Sequence, residues 1–112
     1  MIENIAGGIE RYMSLLTARQ KVVASNVANA DTPGYKTKDI DFRSALADHL
    51  TKSEPSTQEV AGLKTKNDGN NVNIDREARL LAENALRFNI ATNLARGEFR
   101  LVKNAIEEGK SS

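Results

Sequence analysis

The sequence contains no cysteine, and this absence excludes disulfide bonds, thiol catalysis and cysteine-ligated metal sites. It also contains no tryptophan, and aromatic residues make up only 4% of its 112 residues. A compact domain of this length usually has more large apolar side chains to bury. The composition therefore favours thin helical packing over a thick globular core.

Neither sign of charge dominates, since the chain has 16 basic and 15 acidic residues and a net charge of +1. This balance gives no electrostatic reason to bind nucleic acid or an anionic membrane surface. No stretch approaches the roughly 20 apolar residues that a membrane span needs. The N-terminus also lacks the basic and apolar regions of a cleaved signal peptide. We expect a chain that is either cytoplasmic or exported without such a signal.

Two regions carry apolar residues at helical spacing. Residues 1–31 repeat them every three, four or seven positions, as one helix face requires. Residues 73–109 alternate spacings of four and three without a break, which predicts a long helix with a heptad seam. The predicted packing residues of this seam are Ile74, Leu81, Phe88, Ala95, Phe99, Val102 and Ile106.

The segment between these helices, residues 32–72, is predicted to hold a turn, a short helix from about Phe42 to Leu50, and a flexible insertion. Residues 51–73 are rich in Ser, Thr, Asn, Lys and Gly, which is typical of irregular structure. The predicted fold class is all-α. We expect the long N- and C-terminal helices to pair as an antiparallel coiled-coil-like hairpin with an irregular or flexible middle, forming one assembly domain.

The C-terminal helix has more apolar surface than one partner helix can cover. A second stripe of Ala91, Leu94, Leu101 and Ala105 lies beside the seam. The N-terminal stripe is too short to cover both, and an apolar face that stays exposed is an interaction surface. The sequence therefore predicts helical contacts with other molecules.

Three candidate chemical sites have simpler structural interpretations. Asp39 and Asp41 could form a carboxylate pair, but no nucleophile or base lies nearby, so we expect them to be solvated or to cap the short helix. His49, the single histidine, lacks a second metal ligand at helical spacing. The segment at Asp68 and Gly69 lacks the EF-hand glycine and glutamate and predicts a turn into a helix cap. We predict no catalytic, cofactor or metal site, and hence a non-enzymatic protein.

The most unusual segment is residues 24–36, which reads ASNVANADTPGYK. Two asparagines three positions apart share a helix face and can bond carbonyl groups left free at a helix end. The Pro-Gly pair stops the helix and suits a type II turn from Thr32 to Tyr35. The candidate assembly motif consists of Asn26, Asn29, Thr32, Pro33, Gly34 and Tyr35.

These residues resemble the N-terminal signature of the bacterial flagellar axial proteins, the rod, hook and hook-associated subunits, which is close to A-N-N-x-A-N-x-x-T-P-G-Y. Ser25 departs from the commoner asparagine. The stretches 30–36, 39–42, 45–46, 69–72, 75–77, 81–84 and 87–88 are similar to the FlgB type of proximal rod protein. The resemblance covers roughly residues 5–50 and 69–107. Glu98 departs in charge from the Gly-Lys-Phe usual at this point.

The resemblance implies a structural subunit of the proximal rod of the flagellar basal body, which transmits torque from the basal ring to the hook. It implies export by the flagellar type III apparatus without a cleaved signal, and homo- and hetero-oligomers in the periplasm-spanning rod. The implied partners are other rod subunits, the basal ring and its adaptor, and the export apparatus, with no nucleic acid, small-molecule substrate or cofactor. Two alternatives stay open: another rod paralogue, and a small helical adaptor or chaperone of a secretion system.

Overall fold

Two long helices dominate the computed structural model, which describes residues 2–47 and 55–111. Helix α1 spans Ile2–Ala28 and helix α3 spans Ile74–Ser111. Between them lie strand β1 (Lys38–Ile40), helix α2 (Phe42–Ala47) and strand β2 (Thr57–Glu59). The molecule measures 72 × 25 × 18 Å, so its length is set by the long helices.

Helices α1 and α3 run antiparallel along each other. Near the end of α1, Asn26 contacts Glu77 in the first turn of α3. Farther back along α1, Tyr12 contacts Arg87, ten residues later in α3. This reversed order of contacts confirms the predicted all-α hairpin.

The apolar core is small and lies mostly where α1 meets the middle of the chain. The buried apolar residues of the described ranges are Leu15, Leu16, Val23, Ile40, Val72 and Ala91. Among them, only Ala91 belongs to α3. The larger apolar side chains of that helix are therefore outside the core. None of the helices in the described part of the chain has the length and apolar content to cross a bilayer.

The middle of the chain contains a short antiparallel strand pair that the sequence did not predict. Its register pairs Lys38 with Glu59 and Ile40 with Thr57. A further hydrogen bond of 2.9 Å from the Val60 amide to the Thr37 carbonyl extends the pairing. Strands of three residues are too short to produce a visible alternation of apolar and polar residues.

A polar side chain caps the N-terminus of each of the two later helices. Asp41 accepts the amide hydrogen of Ser44 at 3.2 Å, which confirms its role as the cap of α2. The predicted extension of this helix to Leu50, with His49, lies outside the described residues. Helix α3 is capped by Asn73, whose side chain accepts the Arg76 amide hydrogen at 3.1 Å.

The two long helices end in different ways. Helix α1 gives way to hydrogen-bonded turns after Ala28. Helix α3 continues through Gly109 to Ser111, although the sequence predicts that it ends at Gly109. A glycine ends a helix by adopting a positive φ, and Gly109 does not adopt one.

Leu16 and Leu101 allow a matched test of this core, since their exposed fractions are 0% and 70%. We expect Leu16→Ala to lower the free energy of unfolding by about 2–5 kcal/mol, because it leaves a cavity in the buried core. Leu101→Ala should change it by less than about 0.5 kcal/mol. Urea unfolding followed by circular dichroism measures both, and equal losses would contradict the location of the core.

Candidate functional site

Buried polar side chains concentrate where the end of α1, strand β1, the loop of residues 66–72 and the start of α3 meet. We call this region the junction. Its buried polar residues are Asn26, Thr37, Asn70, Asn71 and Glu77. Buried polar groups are stable only when they are hydrogen-bonded, so their partners show what holds the junction together.

The side-chain amide of Asn26 uses its full hydrogen-bonding capacity. Its nitrogen donates to the Lys38 carbonyl at 2.8 Å and to Glu77 Oε2 at 3.2 Å. Its oxygen accepts from the Lys38 amide at 3.1 Å and from the Tyr35 hydroxyl at 3.0 Å. A primary amide has two donors and two acceptor positions, and here all four are occupied. The Asn26 side chain therefore pairs with the backbone of β1 as a neighbouring strand would. It also connects β1 to both long helices.

A charged network lies beside this amide. Asp39 on β1 accepts two hydrogen bonds from the guanidinium of Arg19 on α1, at 3.0 and 3.2 Å. The same carboxylate accepts from Arg76 on α3 at 3.2 Å. Arg76 also donates to Glu77 Oε1 at 2.7 Å, so both oxygens of this fully buried carboxylate have partners. The expectation that Asp39 is solvated or a helix cap is wrong, because it joins the two helices through β1.

The second asparagine of the candidate motif has a different role. Asn29 donates from its side chain to the Ser25 carbonyl at 2.8 Å, and this carbonyl also accepts the Asn29 backbone amide at 3.0 Å, so it is not a carbonyl group left free at the helix end. Asn70, from the distant loop, donates to the carbonyls of Asn29 and Thr32, both at 2.8 Å. The end of α1 is therefore capped partly by a residue 41 positions away.

The turn from Thr32 to Tyr35 has the predicted type II geometry. The Tyr35 amide donates to the Thr32 carbonyl at 3.2 Å, and Gly34 has a φ of +76°. The turn packs against a second turn whose Gly69 has a φ of +86°. A Cβ atom at Gly69 would lie 3.3 Å from the Gly34 Cα atom, so any side chain at Gly69 would crowd the backbone of the first turn. Pro33 lies at an exposed corner of this contact.

The adjacent loop also pairs with the chain just before β1. The Thr37 amide donates to Asn71 Oδ1 at 2.6 Å, and the Thr37 hydroxyl donates to the Asn71 carbonyl at 3.2 Å. The Asn71 amide donates to the Tyr35 carbonyl at 3.3 Å. The described part of the middle, residues 55–73, is therefore anchored to the junction by hydrogen bonds.

The structure places the predicted seam of α3 at the edge of its contact with α1. Ile74, Leu81, Phe88, Phe99 and Ile106 are all exposed, and Ala95 and Val102 are half-buried. The residues of α3 that are buried are instead Glu77, Asn84 and Ala91. Their spacing of seven residues is that of a heptad repeat. Because two of the three are polar, a search for apolar periodicity does not detect them.

Asn84 occupies the centre of this buried line. Its side-chain nitrogen donates to the Leu16 carbonyl at 3.0 Å and to Gln20 Oε1 at 3.1 Å. A buried asparagine in a helix pair fixes the register, because any shift leaves it unpaired. Asn84 therefore helps to set which turns of α1 and α3 meet, together with the contacts of Asn26 with Glu77 and of Tyr12 with Arg87.

The outer half of the hairpin is open between the helices. A groove of about 700 Å³ lies there, lined by Ala6, Ile9 and Met13 of α1 and by Phe88, Ala95, Phe99 and Val102 of α3, among others. Its lining is largely apolar, but Glu10 and Glu98 also border it. One oxygen of Glu98, Oε1, is buried without a hydrogen-bond partner. The structure thus brings four of the predicted seam residues into one concave surface.

Arg87 is a titratable group held in a structural contact between the two long helices. Hydrogen bonds to Tyr12 and Glu83 raise the pKa of Arg87 further above its usual value, so this guanidinium stays charged. No group of three or more histidine, aspartate or glutamate side chains in the described ranges is arranged to hold a metal ion. The chemistry of the site is therefore that of a structural junction beside exposed apolar faces.

Replacing a single amide tests the junction. Asn26→Asp removes both N–H donors and sets a carboxylate against Glu77, so we expect the free energy of unfolding to fall by about 3 kcal/mol. The matched change Asn29→Asp loses one exposed hydrogen bond and should cost about 1 kcal/mol. Urea unfolding of the two variants compares them directly, and a smaller loss for Asn26→Asp would contradict its central place.

Two glycine substitutions should have opposite effects. Gly34→Ala forces a side chain into a positive φ and should destabilise the chain by about 1–2 kcal/mol. Gly97→Ala meets no atom within 4 Å inside helix α3 and should stabilise the isolated chain by about 0.5–1 kcal/mol. Thermal unfolding should move the melting temperature down for the first variant and up for the second.

Comparisons with known proteins identify the family. The family model described as flagella basal body rod protein matches residues 13–36, from the middle of α1 through the Thr32–Tyr35 turn. Flagellar basal body rod protein FlgB of Escherichia coli is 30% identical, over 89% of this chain and 91% of that protein. The FlgB proteins of Borrelia hermsii and Bacillus subtilis are 30% and 29% identical, over 87% and 91% of this chain and 91% and 92% of theirs. The chain belongs to the FlgB family of flagellar basal body rod proteins.

Proposed function

We propose that this chain is a structural subunit of the proximal rod of the flagellar basal body, in the shaft that transmits torque from the basal ring to the hook. The observation that carries the proposal is the exposure of large apolar side chains along α3. Phe99, Leu101 and Leu86 have exposed fractions of 72%, 70% and 61%. Apolar faces of this extent are contact surfaces, and helical seams supply many contacts along a stiff shaft.

The junction supports this role because it fixes the chain at one end of the hairpin. Asn26 and Asp39 each join β1 to both long helices. A subunit that carries torque needs such a fixed point, since its helices must keep their register under load. The seam residues of α3 are then free to pack against helices of neighbouring subunits.

The proposed partners are other rod subunits, the basal ring with its adaptor, and the flagellar type III export apparatus, which would deliver the chain without a cleaved signal peptide. The protein would act by packing alone and would catalyse no reaction. In support, the carboxylates of Asp39 and Glu77 are engaged in ion pairs and hydrogen bonds within the fold. The assembly motif would turn the chain out of the inner helical layer at Thr32–Tyr35.

Substitution of the turn tests the function in cells. A strain that lacks the gene is complemented with the wild-type chain or with the double change Pro33→Ala and Gly34→Ala. We expect the variant to lose swimming in soft agar and to be absent from purified basal bodies, because the turn no longer docks on the loop at Gly69. Pro55→Ala, at the other proline of the chain, is the matched control and should restore swimming.

A helical adaptor or chaperone predicts a different result. It needs the amphipathic helices but not the turn, so the Pro33→Ala and Gly34→Ala variant would support motility. In that case the wild-type chain would also be missing from purified basal bodies. Either finding would contradict the rod assignment.

A further inference from the structure

A second apolar surface lies on the side of α3 that faces away from α1. It consists of Leu86, Ile90, Leu94 and Leu101, all at least half exposed, and we call it the rear stripe. At 3.6 residues per turn, it lies roughly 145° around the helix from the seam residues that line the groove. Gly97 sits within it, with open space around its Cα atom. A helix can approach closely there.

The rear stripe is long enough to cover the groove. The wall that α1 contributes to the groove runs from Ala6 to Thr17 and spans about 17 Å at 1.5 Å per residue. The stripe runs from Leu86 to Leu101 and spans about 23 Å. Its part from Ile90 to Leu101 has the same number of residues as the wall, so about three turns fit along the groove and Leu86 extends beyond it.

The two surfaces also match in charge. The ionisable residues that line the groove are Glu10 and Glu98, and a buried oxygen of Glu98 has no hydrogen-bond partner. The segment that bears the stripe, residues 86–101, contains Arg87, Arg96 and Arg100 against Glu98. Because Arg87 pairs with Glu83 of its own chain, Arg96 and Arg100 supply the positive charge. A basic helix laid in the groove would supply the donor that Glu98 lacks.

We propose that the groove of one molecule binds the rear stripe of a second copy of this chain. The groove and the stripe are different surfaces of the same molecule, so the contact is heterologous. Such a contact does not form a symmetric dimer; it continues from copy to copy as a ring or as an open helical array. The proposal rests on the proposed function and names which faces of adjacent copies meet.

Disulfide trapping tests the contact, because the chain has no cysteine of its own. One full-length variant carries Met13→Cys in the groove, and another carries Leu94→Cys in the stripe. We expect the mixture to form a mixed disulfide under mild oxidation, with a yield at least about tenfold above that of Ala28→Cys mixed with Leu94→Cys. Ala28 is exposed on α1 at the junction, outside the groove.

The charge match has its own control pair. In the Met13→Cys background, Glu98→Lys should lower the yield about tenfold, because like charges then meet in the groove. Glu107→Lys makes the same change of charge at an exposed residue outside the groove and should leave the yield unchanged. Circular dichroism of each variant confirms that the helices are intact, and equal yields from the two would overturn the groove as the acceptor.

Other outcomes of the trapping experiment are equally decisive. Disulfides between two Leu94→Cys chains, or none in the mixture, would overturn the heterologous contact. In cells, pairing of Met13→Cys with a different protein in place of Leu94→Cys would overturn a second copy as the occupant. If swimming depends on the chain and the mixed disulfide does not form, the proposed function stands and only this contact fails. If the mixed disulfide forms but the chain is absent from basal bodies, the contact stands and the proposed function fails.

Discussion

The side-chain amide of Asn26 is the interaction on which the rest of the fold depends. It stands at the end of α1, where the chain must leave the helix and reach α3. Its four hydrogen bonds hold β1, the Tyr35 hydroxyl and the buried carboxylate of Glu77 in one place. Since a buried polar group without a partner costs about 1–3 kcal/mol, these bonds act together, and the loss of one weakens the others.

The contact between the long helices is unusual in what α3 contributes to it. The face of α3 that meets α1 carries Glu77, Asn84 and Ala91, which bury little apolar area. Polar pairs fix the register of the hairpin because a shifted register leaves them unsatisfied. The larger apolar side chains, such as Phe99 and Leu101, are left on the outside. One face of α3 thus fixes its register against α1, and its other faces remain available for contacts with other molecules.

This division suits a family of structural rod proteins. A subunit that buried all its apolar surface internally would have little left with which to hold its neighbours. Here the hairpin leaves a groove between its helices and a stripe behind α3, and these surfaces differ in shape and in charge. Contacts between unlike surfaces form rings when the rotation closes and open helical arrays when it does not, and a helical tube uses the second geometry. The junction lies at the other end of the hairpin, so its hydrogen bonds are not disturbed when the outer faces are covered.

The sequence by itself determined the long helices, the type II turn at Thr32–Tyr35 and the family, because helical periodicity and the Pro-Gly pair are local signals. Only the tertiary structure decided which face of α3 meets α1, since the buried line contains Glu77 and Asn84, which an apolar pattern does not register. The roles of Asp39 and Asn70 also emerged only in three dimensions. Besides local bonds, they have partners 20 positions away, as with Arg19, and 41 positions away, as with Asn29. Such contacts depend on how the elements pack, and no local pattern records them.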